Sequence, residues 1–321
     1  MLHQLDLSEN SLFGEIPESL GNLKKLSALA LYSNSLDGEI PPELGNCSML
    51  DRLDLSENSL SGEIPESFGN LKKLSSLTLY SNSLDGEIPE GLFKNQFLQY
   101  VYLHQNNLSG HITSSLGEIA SLRSLWLHEN GLFGVLPDSI GNCTKLEELY
   151  LLYNQLSGSL PKTLSLISGL KNSLTGPIPS DIGNCRSLLW LELDANMLEG
   201  SVPKELANLR KLQKLFLFDN RLTGEFPEDI WSIRWLQSVL IYRNGFTGML
   251  PPVLAELKLL QNITLFSNFF SGVIPAGLGK RLRVLHLGFN LLTGSIPSGV
   301  AECPSLEQIM LQNNFLTGPI P

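Results

Sequence analysis

Long apolar runs are missing from this 321-residue chain. Nowhere do about 18 apolar residues follow one another, so no segment reads as a membrane-spanning helix. Excess positive charge is missing too: 22 Lys and Arg stand against 32 Asp and Glu, a net charge of −10. That balance disfavours nucleic acid and suits a basic partner. There is no Gly-rich phosphate loop, no kinase signature and no nucleophile motif, and the five histidines and four cysteines do not fall at metal-ligand spacing. No catalytic residue, cofactor or resident metal is expected. The carboxylates could imitate a glycosidase pair, but nothing in the pattern implies a pocket to enclose a sugar between them.

What the chain has in quantity is asparagine at a fixed step. Fourteen of them stand at 10, 34, 58, 82, 106, 130, 154, 172, 196, 220, 244, 268, 290 and 314, and eleven of the thirteen intervals are 24 residues. A constant period of this size means one structural unit stacked many times. Apolar residues recur eight, five and three places before each Asn and two after, as in Leu98-Gln-Tyr-Val-Tyr-Leu-His-Gln-Asn106-Asn-Leu108. One side of a short strand thus points to an interior that only neighbouring repeats can bury. The Asn amide can satisfy backbone groups left unpaired where the chain leaves the strand, so the Asn series should form a ladder across layers. Gly in segments such as Leu222-Thr-Gly224-Glu-Phe226-Pro227 permits a left-handed or close backbone, and Pro ends the short second strand. The return stretch, Glu18 to Lys25 in the first repeat, is too short for more than a turn or two of helix.

These motifs resemble the plant-type leucine-rich-repeat ectodomains of receptor kinases along the whole chain. The resemblance implies a leucine-rich-repeat solenoid of the plant-specific type, a right-handed superhelix with short parallel strands on its concave face and 3-10 or α turns on its convex face. It also predicts a single domain over 1–321 of about 14 repeats, shortened near 155–172. The chain opens at Met1-Leu2 inside a repeat without a signal segment and stops at Pro321 inside another, so it reads as an internal piece without terminal caps.

Cys47, Cys143, Cys185 and Cys303 each follow a ladder Asn by 13 residues, and no two fall in consecutive repeats. At roughly 5 Å per layer, partners two layers apart exceed the ~7 Å Cα limit of a disulfide. Buried free thiols are expected. Asn46, Asn107, Asn142 and Asn262 head Asn-x-Ser/Thr sequons, which together with the resemblance favour a secreted, glycosylated surface. Asn262 should lie on the strand face itself, where low occupancy is expected.

Residues six, four and two before each Asn should face outward from one parallel sheet. Reading them by layer gives Tyr100, Tyr102 and His104; Trp126 and His128; Glu148 and Tyr150; Trp190, Glu192 and Asp194; Phe216 and Phe218; and Tyr242. Exposed aromatics of this density suit an interaction face. They also suit any exposed strand, and many of the accompanying acids suit a solvated surface. His104 and His128 share a phase in adjacent layers with Glu129 nearby, but two imidazoles without a third ligand read as ordinary surface residues. The first layers carry small residues instead, and residues 5–40 and 53–88 are near copies that differ at Phe13/Ser61, Leu20/Phe68, Ala28/Ser76 and Ala30/Thr78. The 18-residue step from Asn154 to Asn172 predicts a lost strand over 170–172 and a gap between Tyr150 and Trp190.

From Leu212-Gln-Lys-Leu-Phe-Leu-Phe-Asp-Asn220 onward, including Ile263-Thr-Leu-Phe-Ser-Asn268 and Leu282-Arg-Val-Leu-His-Leu-Gly-Phe-Asn290, the chain is similar to the receptors for plant elicitor (danger) peptides. That resemblance implies a plant cell-surface receptor kinase, membrane-anchored when complete, whose extracellular region binds an extended basic secreted peptide in defence or developmental signalling. A co-receptor kinase with a short leucine-rich-repeat ectodomain is the implied second partner. Arg243 and Arg283 are the candidates for the peptide's terminal carboxylate, though either is also readable as a solvated Arg. The competing function is a secreted repeat protein that inhibits a microbial enzyme through the same face.

Overall fold

The computed structural model describes residues 2–162, 172–186, 188–278, 281–300 and 303–321. They fall in two compact units, Met1–Thr163 and Leu164–Pro321. In the first, seven parallel strands lie in sequence order: Gln4–Asp6, Ala28–Ala30, Arg52–Asp54, Ser76–Thr78, Tyr100–Tyr102, Ser124–Trp126 and Glu148–Tyr150. In the second, six do the same: Trp190–Glu192, Lys214–Phe216, Ser238–Leu240, Asn262–Thr264, Val284–His286 and Gln308–Met310. Registers follow the sequence period, so Tyr100 pairs with Ser124 and Ser124 with Glu148. Each unit is a solenoid in which every turn adds one strand.

The leucine frame supplies the core. Leu26, Leu29, Leu31, Leu36 and Ile40 of one repeat are all buried, and the same phases are buried in most described layers that follow, the last excepted, where Ile309 is exposed. The returns are five-residue 3-10 turns such as Glu18–Asn22, Ser114–Glu118 and Lys204–Asn208. Pro17, Pro137 and Pro203 precede such turns in extended conformation, where fixed φ is compatible and no backbone donor is lost to the ladder. All four cysteines are free and buried, as their spacing predicts. Burial pushes the thiols of Cys143 and Cys185 up to about 11.

The asparagine ladder has the predicted chemistry. Asn106 Nδ2 donates to the carbonyls of Leu79 at 3.0 Å, Leu103 at 3.2 Å and His104 at 3.2 Å, while its Oδ1 accepts from Leu84 N–H at 3.0 Å. One side chain thus ties three segments of backbone. The 22-residue step leaves the ladder intact, because Asn290 still reaches Leu265 O at 3.1 Å and accepts from Phe270 N–H at 2.9 Å. At the early rung, the backbone N–H groups of Asn172 and Leu174 both donate to Asn196 Oδ1 at 3.1 Å. Of the strand expected to be lost over 170–172, residues 170 and 171 lie outside those described, and Asn172 belongs to no strand.

One backbone feature has no signature in residue type. In thirteen described layers the residue before the ladder Asn is left-handed, with φ between 51° and 55°, and it is never Gly. Arg243 shows the reason: its N–H donates to Phe266 O at 2.9 Å and Asn244 N–H to Ser267 O at 3.2 Å, so the turn keeps both donors paired to the next layer. A left-handed non-Gly residue costs on the order of 1 kcal/mol, which these bonds and the ladder amide offset.

Candidate functional site

On the outward face of the first sheet the aromatic side chains touch one another rather than standing apart. Tyr80, His104 and His128 form a stack across three layers, with centroids 4.6 Å and 4.3 Å apart and planes within 16° of parallel. Trp126 sits beside it, 4.9 Å from Tyr102, 5.4 Å from His104 and 5.0 Å from Tyr150, the last edge-on. Glu148 holds the indole, accepting from Trp126 Nε1 at 3.2 Å and from Ser124 Oγ at 2.7 Å. Tyr100 remains 38% exposed at the strand start. Cross-strand ring pairs of this kind fix rotamers, so the face is pre-organised before any ligand arrives.

The histidines differ from the surface residues expected. His104 is only 8% exposed, and the Nδ1 atoms of both His104 and His128 are buried without a hydrogen-bond partner. Burial, with a smaller repulsion from His128, lowers the His104 imidazole from 6.5 to about 4. Burial also lowers His128, while Glu129 opposes it. Parallel stacked rings do not converge on a common point, and among the described residues no three His, Cys, Asp or Glu are placed to hold a metal ion.

The second sheet repeats the theme with other residues. Phe218, Tyr242 and Phe266 stack at 4.4 Å and 4.5 Å, within 11° of parallel. Phe216 stands 6.4 Å from Phe218, and Lys214 Nζ lies 4.1 Å over the ring of Trp190, which is 37% exposed. Glu192 is half-buried beside them. Asp194 corrects the expectation of an outward carboxylate, because it is 2% exposed. Its phase, two before the Asn, is half-buried in most layers, as at Tyr80, Phe218 and Tyr242. Ser56 and His104 are buried at the same phase.

Arg243 and Arg283 are not brought together. Arg243 follows its strand and pairs with Asp219 at 3.3 Å, its guanidinium 5.7 Å from the Phe266 centroid. Arg283 precedes its strand, at the opposite sheet edge, and pairs with Glu307 at 2.6 Å. Each is already paired with a carboxylate one layer away. Tyr80 and Phe266, which complete the two stacks, were not among the candidate residues. Their shared phase, two before a ladder Asn, is the signal that marks them.

The first layers hold a shallow depression of about 300 Å³ where Ala28, Ala30, Ser76 and Thr78 replace rings. Asp6 and Asp54 line it. Hydrogen bonds from Ser8 lower the exposed Asp6, whereas burial raises Asp54 against the opposing bonds from Ser56. Glu57 is lowered by bonds from Ser33 Oγ at 2.6 Å and Tyr80 OH at 2.9 Å. Of the sequon residues, Asn46, Asn107 and Asn142 are exposed, and Asn262 lies half-buried in its strand between Ser238 and Val284.

Known proteins share the repeat and its fold. The family model described as Leucine Rich Repeat matches residues 1–23, 25–47, 49–71, 121–143, 145–167, 211–233 and 281–303. Comparison with curated protein sequences gives no match. Among solved structures, the chain is similar to the PEPR1–AtPEP1 complex, with 36% identity and a TM-score of 0.95 over 100% of this chain and 46% of that one. It is similar to the plant peptide hormone receptor RGFR1 in complex with RGF2, with 33% identity and a TM-score of 0.88 over 98% and 60%. It is also similar to the Arabidopsis receptor kinase HAESA in complex with the peptide hormone IDA and the co-receptor SERK1, with 31% identity and a TM-score of 0.65 over 100% and 67%. The chain thus spans about half the length of the first of these. Its repeats, its parallel strands, its 3-10 returns and its likeness to plant receptor ectodomains agree, and the chain belongs to the leucine-rich repeat family.

Proposed function

We propose that this chain is peptide-binding sequence from the extracellular region of a plant cell-surface receptor kinase, and that its ligand is an extended basic peptide lying across the strand faces. The observation that carries this reading is the pair of ring stacks, Tyr80–His104–His128 and Phe218–Tyr242–Phe266, each with carboxylates at hand in Glu148 and Asp219. Rigid aromatic platforms accept aliphatic and cationic side chains, and a chain of net charge −10 attracts Lys and Arg. The three similar structures all carry peptides, and in one a co-receptor is present, which supports a co-receptor kinase as second partner. No described helix is long and apolar enough to cross a membrane. The extracellular placement therefore rests on the sequons and the relatives.

Calorimetric titration with basic elicitor-type peptides tests the reading. Saturable binding that weakens with salt is expected. No binding by folded protein, or equal binding of an acidic peptide of the same length, overturns it.

A further inference from the structure

A second site stands on the return side of the Leu164–Pro321 unit, away from the strand face. In several layers the return turns pack on one another through a glycine eleven residues after the ladder Asn. A Cβ on Gly21, Gly117 or Gly183 would lie 2.3 to 2.4 Å from a backbone oxygen of the next turn, that of Glu43, Ser139 or Glu205. No side chain fits at those three positions, whereas Phe93 and Trp231 stand buried at the same phase of their own layers. In the next layer this position is Ala207, and the residue due to make the contact is Asp229. Between the two turns, Lys204–Asn208 and Glu228–Ser232, lies a cleft of about 840 Å³ that both Ala207 and Asp229 line.

The lining has a specific character. Trp235 forms part of the wall and is 54% exposed, at a phase where other layers carry Lys25, Lys73, Lys145 and Lys211. Lys204, Arg210 and Arg234 surround it, and none of the three forms an ion pair among the described residues. Unpaired cations gathered round an exposed indole are unexpected in an acidic chain. Glu205 and Asp229 add acceptors, so the rim offers both senses of hydrogen bond.

We propose that this cleft binds a carboxylated saccharide. A pyranose ring presents an apolar C–H face to the indole, its hydroxyls match a rim of mixed donors and acceptors, and its carboxylates meet the unpaired Lys and Arg in charge-assisted bonds. The volume lies within the roughly 300–1,000 Å³ usual for small-ligand sites. Glu205 and Asp229 disfavour a simple polyanion and leave room for a ligand whose charge is spaced by neutral hydroxyls.

Calorimetric titration of the chain with trigalacturonate, and with maltotriose as its neutral match, tests the proposal. The acidic sugar should bind with Kd below about 1 mM and maltotriose at least about tenfold more weakly. Trp235→Ala and the double change Arg210→Gln with Arg234→Gln should each weaken trigalacturonate at least about tenfold, while thermal melts stay unchanged because these side chains are exposed. Absence of binding, equal binding of maltotriose, or undiminished binding by the Trp235 variant overturns the assignment. None of these outcomes depends on peptide binding at the strand face.

Discussion

The imidazoles of His104 and His128 lie face to face with centroids 4.3 Å apart, in neighbouring layers of one sheet. Protonating either places a charge against the other ring and against Tyr80 and Trp126, in a buried setting; the nearest compensating carboxylates are Glu129 and, through Tyr80, Glu57. The folded His104 titrates near 4 against an ordinary 6.5. Between those values the unfolded chain holds more protons than the native one, so native stability falls as pH drops from 6.5 to about 4 and then levels for this group. The loss should be about 1 to 3 kcal/mol. His104→Phe keeps the stack without the charge, so urea melts of this variant should show a flatter pH dependence in that window; an unchanged slope refutes the coupling.

Ladder asparagines should differ in worth according to their layer. Asn106 makes four hydrogen bonds and is buried, whereas Asn10 donates only to Leu7 O and Ser8 O within its own exposed turn. Asn106→Ala should cost about 2 to 4 kcal/mol by leaving buried backbone groups unpaired, and Asn10→Ala less than about 1. Chemical denaturation of the two variants side by side measures the difference.

Gly183→Ala would put a methyl 2.4 Å from Glu205 O, and backbone cannot yield there without moving a whole turn. A loss above about 2 kcal/mol is expected. Gly14→Ala meets no atom within 4 Å and suffers only from its φ of 83°, so about 1 kcal/mol should suffice. Equal losses for the two would show that conformation, not layer contact, explains these glycines.

Peptide binding should depend on the rings one at a time and together. Trp126→Ala, Tyr150→Ala and Phe216→Ala should each weaken a bound peptide by about 1 to 4 kcal/mol. Trp126 and Tyr150 are 5.0 Å apart, so their double variant should depart from additivity by about 0.5 kcal/mol or more, readable in a titration cycle.

The period of the asparagines made the layers, the strand phases, the buried thiols and the ladder bonds readable, because each is set by spacing within one repeat. Features that arise between repeats were not readable in the same way. His104 and Asp194 looked outward by alternation, yet the neighbouring layers cover them. Arg243 and Arg283 were free cations in the sequence and are paired to Asp219 and Glu307 one layer away. The left-handed residue before each Asn escaped notice because Glu, Ser, Tyr, Arg and Phe all occupy it, so the geometry is imposed by the bonds around it rather than by residue type.

The near copies at 5–40 and 53–88 have a consequence for how the chain finds its structure. Most layer contacts join residues one period apart, so folding proceeds by docking each turn on an adjacent one. Here the incoming turn meets two almost equivalent templates, and closing the longer loop to the wrong one costs only about 1 kcal/mol more in chain entropy. What separates the true register from the slipped one within these blocks is four side chains, chief among them Phe68, fully buried where its counterpart Leu20 is half-buried. The duplication therefore supplies a kinetic trap, a slipped stack with two repeats looped out, from which escape requires undocking every layer added since the error.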